Sequence, residues 1–531
     1  MFQVDPRVQQ ARNYHISDIP KRSAQRHAHK LALVDAEQQL SYQEFYEKVE
    51  QLAAYFAAIG LKKADRLLLL SHNCWQFPVI HFAAARLGII TVPVNFMLNS
   101  KELAYILENS QSNIIFAEDQ LTATVNAAMQ QCQHQLQHFY QINLNQAPTL
   151  PKWQDFEYCF QKNLPHLAIQ ALNAYEPIRM MYTSGTESLP KGVLLNSEAL
   201  MWQYMSAILE GEMSAHDREI HAFPLYHCAQ FDAFLNVDLY LGATSYILRS
   251  FDAQKVLMLI EKHKINKLFC PPTAWIALLN STSFKHSDLS SLEKAYYGAS
   301  AMPKSVISSL LEKLPHIRFW QFYGQTEMAP VATVLYPEDH HDYPSSVGRP
   351  VFHVETAIMA EDGQLLAHGE IGEIVHKSPH LTLGYANQSE KTTEAFAYGW
   401  FHSGDLGYFD ASGHLYIVDR IKDIVKTGGE NVATREVEEI IYLVQGVKEV
   451  AVFGIPHPHW IEAVTAVVVL QDETNFEPEA LLEHCKQHLA HYKMPKSLHI
   501  VKELPKNASG KILKRQLREQ YQDYYAQNQI A

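Results

Sequence analysis

The chain has 531 residues, of which 47% are hydrophobic and 19% charged, and its formal net charge is −13. That length exceeds one ordinary core and implies a large body with subdomains plus at least one smaller domain. The composition is that of a folded globular protein, and the acidic balance repels polyanions, which excludes nucleic acid as a bulk partner.

The six cysteines, Cys74, Cys132, Cys159, Cys228, Cys270 and Cys485, form no CxxC pair. A disulfide framework or thiolate metal site is therefore not expected, and a reducing cytoplasm fits. The N-terminus lacks an apolar signal core, and the most apolar stretch, 79–94, is interrupted by His81 and Arg86, so no membrane span is expected. The 28 histidines include no HExxH, and the pairs His340/His341 and His457/His459 lie in Pro- and Asp-rich turns, which predicts surface loops rather than metal ligands.

In chain order, Ser41-Tyr-Gln-Glu44 reads as a capping box that opens a helix reaching about Ala58, with Gly60 stopping it. An apolar run at 67–70, a helical stretch at 75–87, a β-rich run at 89–94, a helix from Ser100 and a run at 113–117 follow. This alternation predicts parallel α/β layers. Short strands recur at 267–270, 294–297 and 318–323, and ligands in such sheets bind beyond the carboxyl ends of the strands.

From Gly372 the texture changes to turn-punctuated β segments. A compact α/β pattern resumes after Arg420, with a helix at 436–443 and strands at 450–454 and 463–470. The expected division is a domain over 1–419, a hinge at 420–422 and a second domain over 423–531, whose last residues, QLREQYQDYYAQNQIA, read as a frayed polar end.

The segment YTSGTESLPKGV, 182–193, follows an apolar run. Amides around Gly185 and the hydroxyls of Thr183, Ser184 and Thr186 can wrap a phosphate chain, with Lys191 as a point charge. It is not the GxxxxGK[ST] loop, because Gly rather than a hydroxyl follows Lys191.

On these residues the chain resembles the adenylate-forming superfamily of acyl-CoA synthetases, peptide-synthetase adenylation domains and luciferases. The resemblance continues in order through FPLYHCAQ (223–230), GAS (298–300), FYGQTE (322–327), WFHSGDLG (400–407), DRIKDIVKTGGENV (419–432) and LPKNASGK (504–511). It implies a large N-terminal domain of layered α/β subdomains with a β-rich subdomain, and a small mobile α+β C-terminal domain. It also implies ATP and Mg²⁺ as requirements and CoA, or a pantetheinylated carrier protein, as co-substrate.

By the same resemblance Thr326 holds phosphate and Glu327 binds Mg²⁺, a cation for which one carboxylate with nucleotide oxygens and water suffices. Asp405 grips the ribose hydroxyls with Arg420 helping. Gly298, Ala299 and Ser300 form an adenine shelf, and Tyr323, before Gly324, stacks on the base. Lys511 bridges the carboxylate and the α-phosphate as charge develops. Lys422 is the hinge, about which the loop carrying Lys426, Gly428 and Gly429 swings in to meet a pantetheine arm.

The phosphate loop departs from the family pattern at Glu187 and Ser188, which stand where a Thr and a Gly are usual. An acid beside a triphosphate repels it unless it points outward or shares the cation. His227 is expected near the substrate carboxylate, with Tyr226, Gln230, Phe231 and Phe234 on one wall of the acyl pocket and Ala299, Ala301 and Met302 on the other. No Asp or Arg stands there to pair with an amino acid, which favours an apolar acid: a medium- or long-chain fatty acid, with an aryl acid as competitor. Glu327 and Asp405 are only 78 positions apart, without the insertion seen in ligases that load carrier proteins, which favours CoA over an acyl carrier protein. A homodimer is compatible with this expectation.

Overall fold

The computed structural model describes residues 5–528, apart from 37, 162, 163, 166, 168–171, 184–188 and 472–477. Two large sheets form the N-terminal body. One runs in the order Gln154–Asp155, His138–Ile142, Ile114–Glu118, Arg66–Leu70, Ile90–Pro93, Pro177–Thr183, Lys191–Asn196; every pairing is parallel except the last. The other has a parallel centre built from Arg318–Gly324, Lys294–Gly298, Lys267–Phe269, Arg218–His221, Thr244–Ile247 and Leu31–Val34, with antiparallel strands at both edges. Strands such as Ile114–Glu118 are buried along their whole length, as strands covered on both faces must be.

The helix Tyr42–Ala58 begins where the capping box predicts: the Glu44 amide donates to Ser41 Oγ at 3.3 Å, and the Ser41 amide to Glu44 Oε2 at 2.8 Å. Its buried face, Phe45, Val49, Leu52 and Phe56, meets Phe82 edge-on at 5.9 Å and Phe116 at 5.7 Å.

A four-stranded antiparallel sheet follows, in the order Glu355–Met359, Gly372–Lys377, Phe401–Phe409, Leu415–Arg420. Burial alternates strictly along Phe401–Phe409, which turns Asp405 to the covered face. The small C-terminal domain is built on the long hairpin Val447–His457 and Ile461–Leu470. One face of that hairpin packs on Val437, Ile441, Leu481 and Cys485, the other on Leu517 and Tyr525.

The large N-terminal and small C-terminal α/β division expected from the motifs is therefore present. Among the described residues no helix is long and apolar enough to cross a membrane. Two expectations are corrected. The polar C-terminal run forms the helices Lys514–Tyr521 and Tyr524–Asn528, with Leu517 and Tyr525 each only 3% exposed; each helix is seated by a buried apolar side chain of its own although its other positions are mostly polar. Each histidine pair also splits: His341 and His459 are exposed, but His457 is buried and His340 lies under Tyr297, 3.0 Å from its hydroxyl.

The small domain is pinned across the segment 420–423. Asp419, in the last strand of the four-stranded sheet, accepts from the Thr434 hydroxyl at 2.8 Å and the Arg435 amide at 3.3 Å, and so caps the helix Thr434–Tyr442 from outside. Within the small domain itself, Arg518 reaches Asp423 at 2.5 Å, and Lys514 reaches Glu438 at 2.8 Å.

Candidate active site

Four neighbouring parallel strands end at the same edge. His221, Phe269, Gly298 and Gly324 close them, and the segments that follow carry His227, Pro271, Ala299 and Thr326. This is where a parallel sheet leaves amides and loop side chains free for a ligand.

On the phosphate side, Thr183 ends its strand directly opposite Lys191. The Lys191 ammonium lies 4.7 Å from the centre of the Tyr385 ring, and the Tyr385 hydroxyl donates to Glu327 Oε1 at 3.0 Å. Ser184, Gly185, Thr186, Glu187 and Ser188 lie outside the described residues. Glu327 is buried in the short turn Thr326–Met328, and burial raises its pKa, against which the hydrogen bond from Tyr385 and the charges of Arg420 and Lys191 act. A carboxylate whose burial is only partly offset by cations is a fitting donor for one divalent ion, with the Thr326 hydroxyl beside it in sequence. Thr326 Oγ1 is 3.4 Å from Cys228 Sγ, and burial pushes that thiol up to about 12, which leaves it a wall and not a nucleophile.

Asp405 and Arg420 face each other on adjacent antiparallel strands. Arg420 Nε donates to Asp405 Oδ1 at 2.7 Å, and the Tyr323 hydroxyl donates to Oδ2 at 2.7 Å. Each carboxylate oxygen keeps a further lone pair, the requirement for accepting from two vicinal hydroxyls. Gly298 is fixed by the sheet as much as by any ligand, because a Cβ there would meet the Phe322 carbonyl oxygen at 2.3 Å. Ala299 follows at φ +64° and, with Ser300 and Ala301, borders solvent; Met302 is buried.

Lys511 enters from the small domain. Asn507 Oδ1 accepts from its amide at 2.9 Å and from the Ser509 hydroxyl at 2.7 Å, which shapes the loop. At Gly510, φ +82°, a Cβ would lie 2.5 Å from Thr273 Oγ1, so only glycine lets the loop come this close to the large domain. The Lys511 side chain is open to the cleft's solvent yet ringed by protein, and burial, then Arg420, lower its pKa, with Asp405 and Asp423 opposing. Lys422 is lowered to about 8, by burial and then Arg420. Lys426, Gly428 and Gly429 lie on the exposed hairpin Val425–Val432, whose turn is held by the Gly428 amide donating to the Trp460 carbonyl at 2.8 Å.

On the acyl side, Phe223, His227, Gln230, Phe269, Ala299 and Ser509 are among the residues around a cleft with about 230 Å³ of free space, counting its open mouth. The Ala229 amide donates to His227 Nδ1 at 3.2 Å, which places the proton of the neutral ring on Nε2. Burial, and then Lys511, lower the His227 pKa to about 4, so the ring is neutral at pH 7. Tyr226 sits against Phe96, and Phe234 stacks behind Phe269 at 4.5 Å. Phe231 is a correction: it faces away from the cleft, against Phe77 at 5.3 Å and the Arg179 guanidinium at 4.6 Å. Gln230 and Phe231 are consecutive on one helical turn, and only one of them can face the cleft.

Sequence reasoning missed Tyr385, Asp423, Ser509 and the fully buried pair Arg179 and Asp232. Tyr385 sits in LTLGYANQ, where nothing but the Gly before it marks the position. Arg179, in the strand that leads to the phosphate loop, holds Asp232 in the π-turn Phe231–Leu235 behind the acyl wall, and its NH2 lies 2.8 Å from His81 Nε2. A charge in an apolar strand was the available signal.

The fold and this site define an enzyme with a nucleotide cleft at a sheet edge and a small domain that delivers one lysine. The family model for AMP-binding enzymes matches residues 20–386, and that for the AMP-binding enzyme C-terminal domain matches 436–511. A feruloyl-CoA synthase from Amycolatopsis sp is 31% identical over 510 residues, covering 96% of this chain and all of the relative. The long-chain-fatty-acid–CoA ligase FadD13 from Mycobacterium tuberculosis is 32% identical over 495 residues, covering 91% and 93%. The solved o-succinylbenzoate CoA synthetase of Bacillus subtilis, with its acyl-adenylate intermediate, superposes with a TM-score of 0.83 at 27% identity over 94% of this chain and 98% of that one. The chain belongs to the AMP-binding enzyme family, and it is an acid–thiol ligase of the AMP-forming kind.

Proposed function

We propose that this ligase activates a compact, ring-bearing carboxylic acid with ATP and passes the acyl group to CoA. The observation that carries the choice of acid is the lining of the cleft, to which Phe223, Phe269 and the neutral His227 ring all contribute aromatic surface that suits a ring. The likeness to a feruloyl-CoA synthase over the relative's whole length supports a ring acid. The medium- or long-chain fatty acid expected from the sequence is the second reading, and the likeness to FadD13 favours it.

In the first half-reaction a carboxylate oxygen of the acid attacks the α-phosphorus of ATP, and the bond to the outer two phosphates breaks, releasing pyrophosphate. Asp405 grips the ribose, and Thr183 and Lys191 hold the phosphate chain. Lys511 and the Nε2–H of His227 face the reacting oxygens, so the site's work is positioning and charge neutralisation rather than covalent catalysis. Glu327 would hold Mg²⁺, which when bound neutralises phosphate charge. In the second half-reaction the CoA sulfur, its proton given up to water, attacks the acyl carbon and AMP leaves.

The small domain carries Lys511 into the cleft and leaves the hairpin with Lys426, Gly428 and Gly429 at the surface. We read this as the adenylating arrangement, with 420–422 as the hinge between 1–419 and 423–531, and rotation as the step that brings the hairpin to the thiol.

Incubating the protein with ATP, CoA and single acids, and quantifying AMP, pyrophosphate and acyl-CoA, tests the proposal. Ring acids should give acyl-CoA and AMP in equal amounts. ADP formation, or turnover of alkyl acids alone, would refute it, and transfer to a pantetheinylated carrier protein in preference to CoA would correct the acceptor.

A further inference from the structure

Gln230 is 1% exposed and borders the acyl cleft, one helical turn beyond His227. Its carboxamide is oriented by a chain of hydrogen bonds. The Phe223 amide can only donate, and it points at Gln230 Oε1, 3.3 Å away. Gln230 Nε2 therefore faces His221 Nδ1, at 2.8 Å, and donates to it. With Nδ1 accepting, the proton of the neutral His221 ring sits on Nε2, 3.3 Å from Asp238 Oδ2.

The far end of this chain is fixed as well. Lys267 Nζ binds Asp238 and lies 2.8 Å from Glu219 Oε2, with all four side chains fully buried. Glu219, His221 and Asp238 bring three ligand atoms within 4.8 Å of one another, but the Lys267 ammonium already supplies the cation among them. Burial raises the Glu219 pKa and lowers that of His221, while Lys267 keeps Asp238 charged. The Lys267 ammonium thus supplies the positive charge among these acids, Asp217 included at 4.0 Å, and burial keeps the imidazole neutral. The quartet is an anchor and not a metal centre.

An amide held in this way has one N–H left over: among the described residues Nε2 has no partner besides His221. A buried N–H left without a partner is costly until one arrives. Resting on the ring-acid reading above, we propose that Gln230 selects acids that carry an oxygen substituent on the ring, at about one helical turn from the carboxylate, and that His221 is the positioning residue that aims it.

The test uses the full-length protein and matched acids: benzoate with 3- and 4-hydroxybenzoate, and cinnamate with 4-hydroxycinnamate. In the unaltered protein kcat/KM for acyl-CoA formation should favour a hydroxylated acid over its parent by about tenfold or more. Gln230→Leu, or the near-isosteric Gln230→Met if the first does not fold, should reduce that ratio to about 2 or less, and His221→Phe should reduce it with Gln230 still present. A ratio near 1 in the unaltered protein, or one that survives these substitutions, overturns the proposal while leaving the ring-acid reading standing. Turnover of alkyl acids only would sink both.

Discussion

Tyr385 ties the two charged sides of the phosphate site together, its hydroxyl on Glu327 at 3.0 Å and its ring face towards the Lys191 ammonium at 4.7 Å. A buried carboxylate depends on such a donor to keep both its charge and its aim. Hydrogen bonds to charged groups contribute about 1.5–3 kcal/mol, so Tyr385→Phe should lower kcat/KM for adenylation about 10- to 100-fold. Pyrophosphate release at limiting ATP reads this, and a change below twofold would show that Glu327 is oriented by other groups.

In the mechanism proposed above, Lys511 acts from the small domain on adenylation alone and is not needed once the acyl adenylate exists. Lys511→Ala should slow acyl-AMP synthesis about 10²- to 10³-fold. Transfer from supplied acyl-AMP to CoA should persist. Equal loss of both half-reactions would contradict the rotation of the small domain.

Lys422 makes the docked arrangement sensitive to pH. A lysine in water keeps its proton up to about 10.5, but here burial and Arg420 lower the value to about 8, with Lys511 also opposing the charge and Asp423 and Asp405 favouring it. Below pH 8 the residue is charged whether docked or hydrated, and docking bears the full cost of burying that charge. Between pH 8 and 10.5 the docked lysine is neutral and that cost shrinks, so docking should strengthen as pH rises. Limited proteolysis of segment 420–423 at pH 7 and pH 9.5 should show greater protection at the higher pH, and Lys422→Met should abolish the difference.

Asp419 caps a helix of the small domain from the last strand of the large one. Losing a helix cap costs about 0.5–2 kcal/mol, or a factor of about 2–30 in the docked population. Asp419→Ala should therefore slow adenylation by that factor and spare transfer from supplied acyl-AMP. A parallel fall in both would mark the contact as support for the fold alone.

The C-terminal helices are part of the core. Leu517 is 3% exposed, in the cluster with Phe453 and Tyr525, so Leu517→Ala should destabilise the small domain by about 2–5 kcal/mol, seen as a lower thermal midpoint. An unchanged midpoint would indicate a tail that merely rests on the surface.

The legible parts of this molecule were those where local chemistry decides structure. The Ser41–Glu44 box set a helix start, and the runs read at 67–70 and 113–117 fall on the buried strands Arg66–Leu70 and Ile114–Glu118. The motifs were ordered along the chain, and in the structure Thr183 pairs with Lys191, Arg420 binds Asp405, and the charges of Lys191 and Arg420 act on Glu327 and that of Arg420 on Lys511. What stayed hidden depends on distant partners. Tyr385 gains meaning only from Glu327, 58 positions earlier. The buried histidines and the inward face of the last helices likewise reflect which surface arrives to cover them, something no local pattern records.

The buried pair of Arg179 and Asp232 joins the strand feeding the triphosphate loop to the turn that backs the acyl wall. Either partner alone would be a naked charge in the interior, so neither can drift without the other. Variants with a new acid preference should consequently arise by remodelling the loop positions Ala299 and Ser509 at the cleft, whereas changes at residues 231–235 should damage nucleotide handling at the same time.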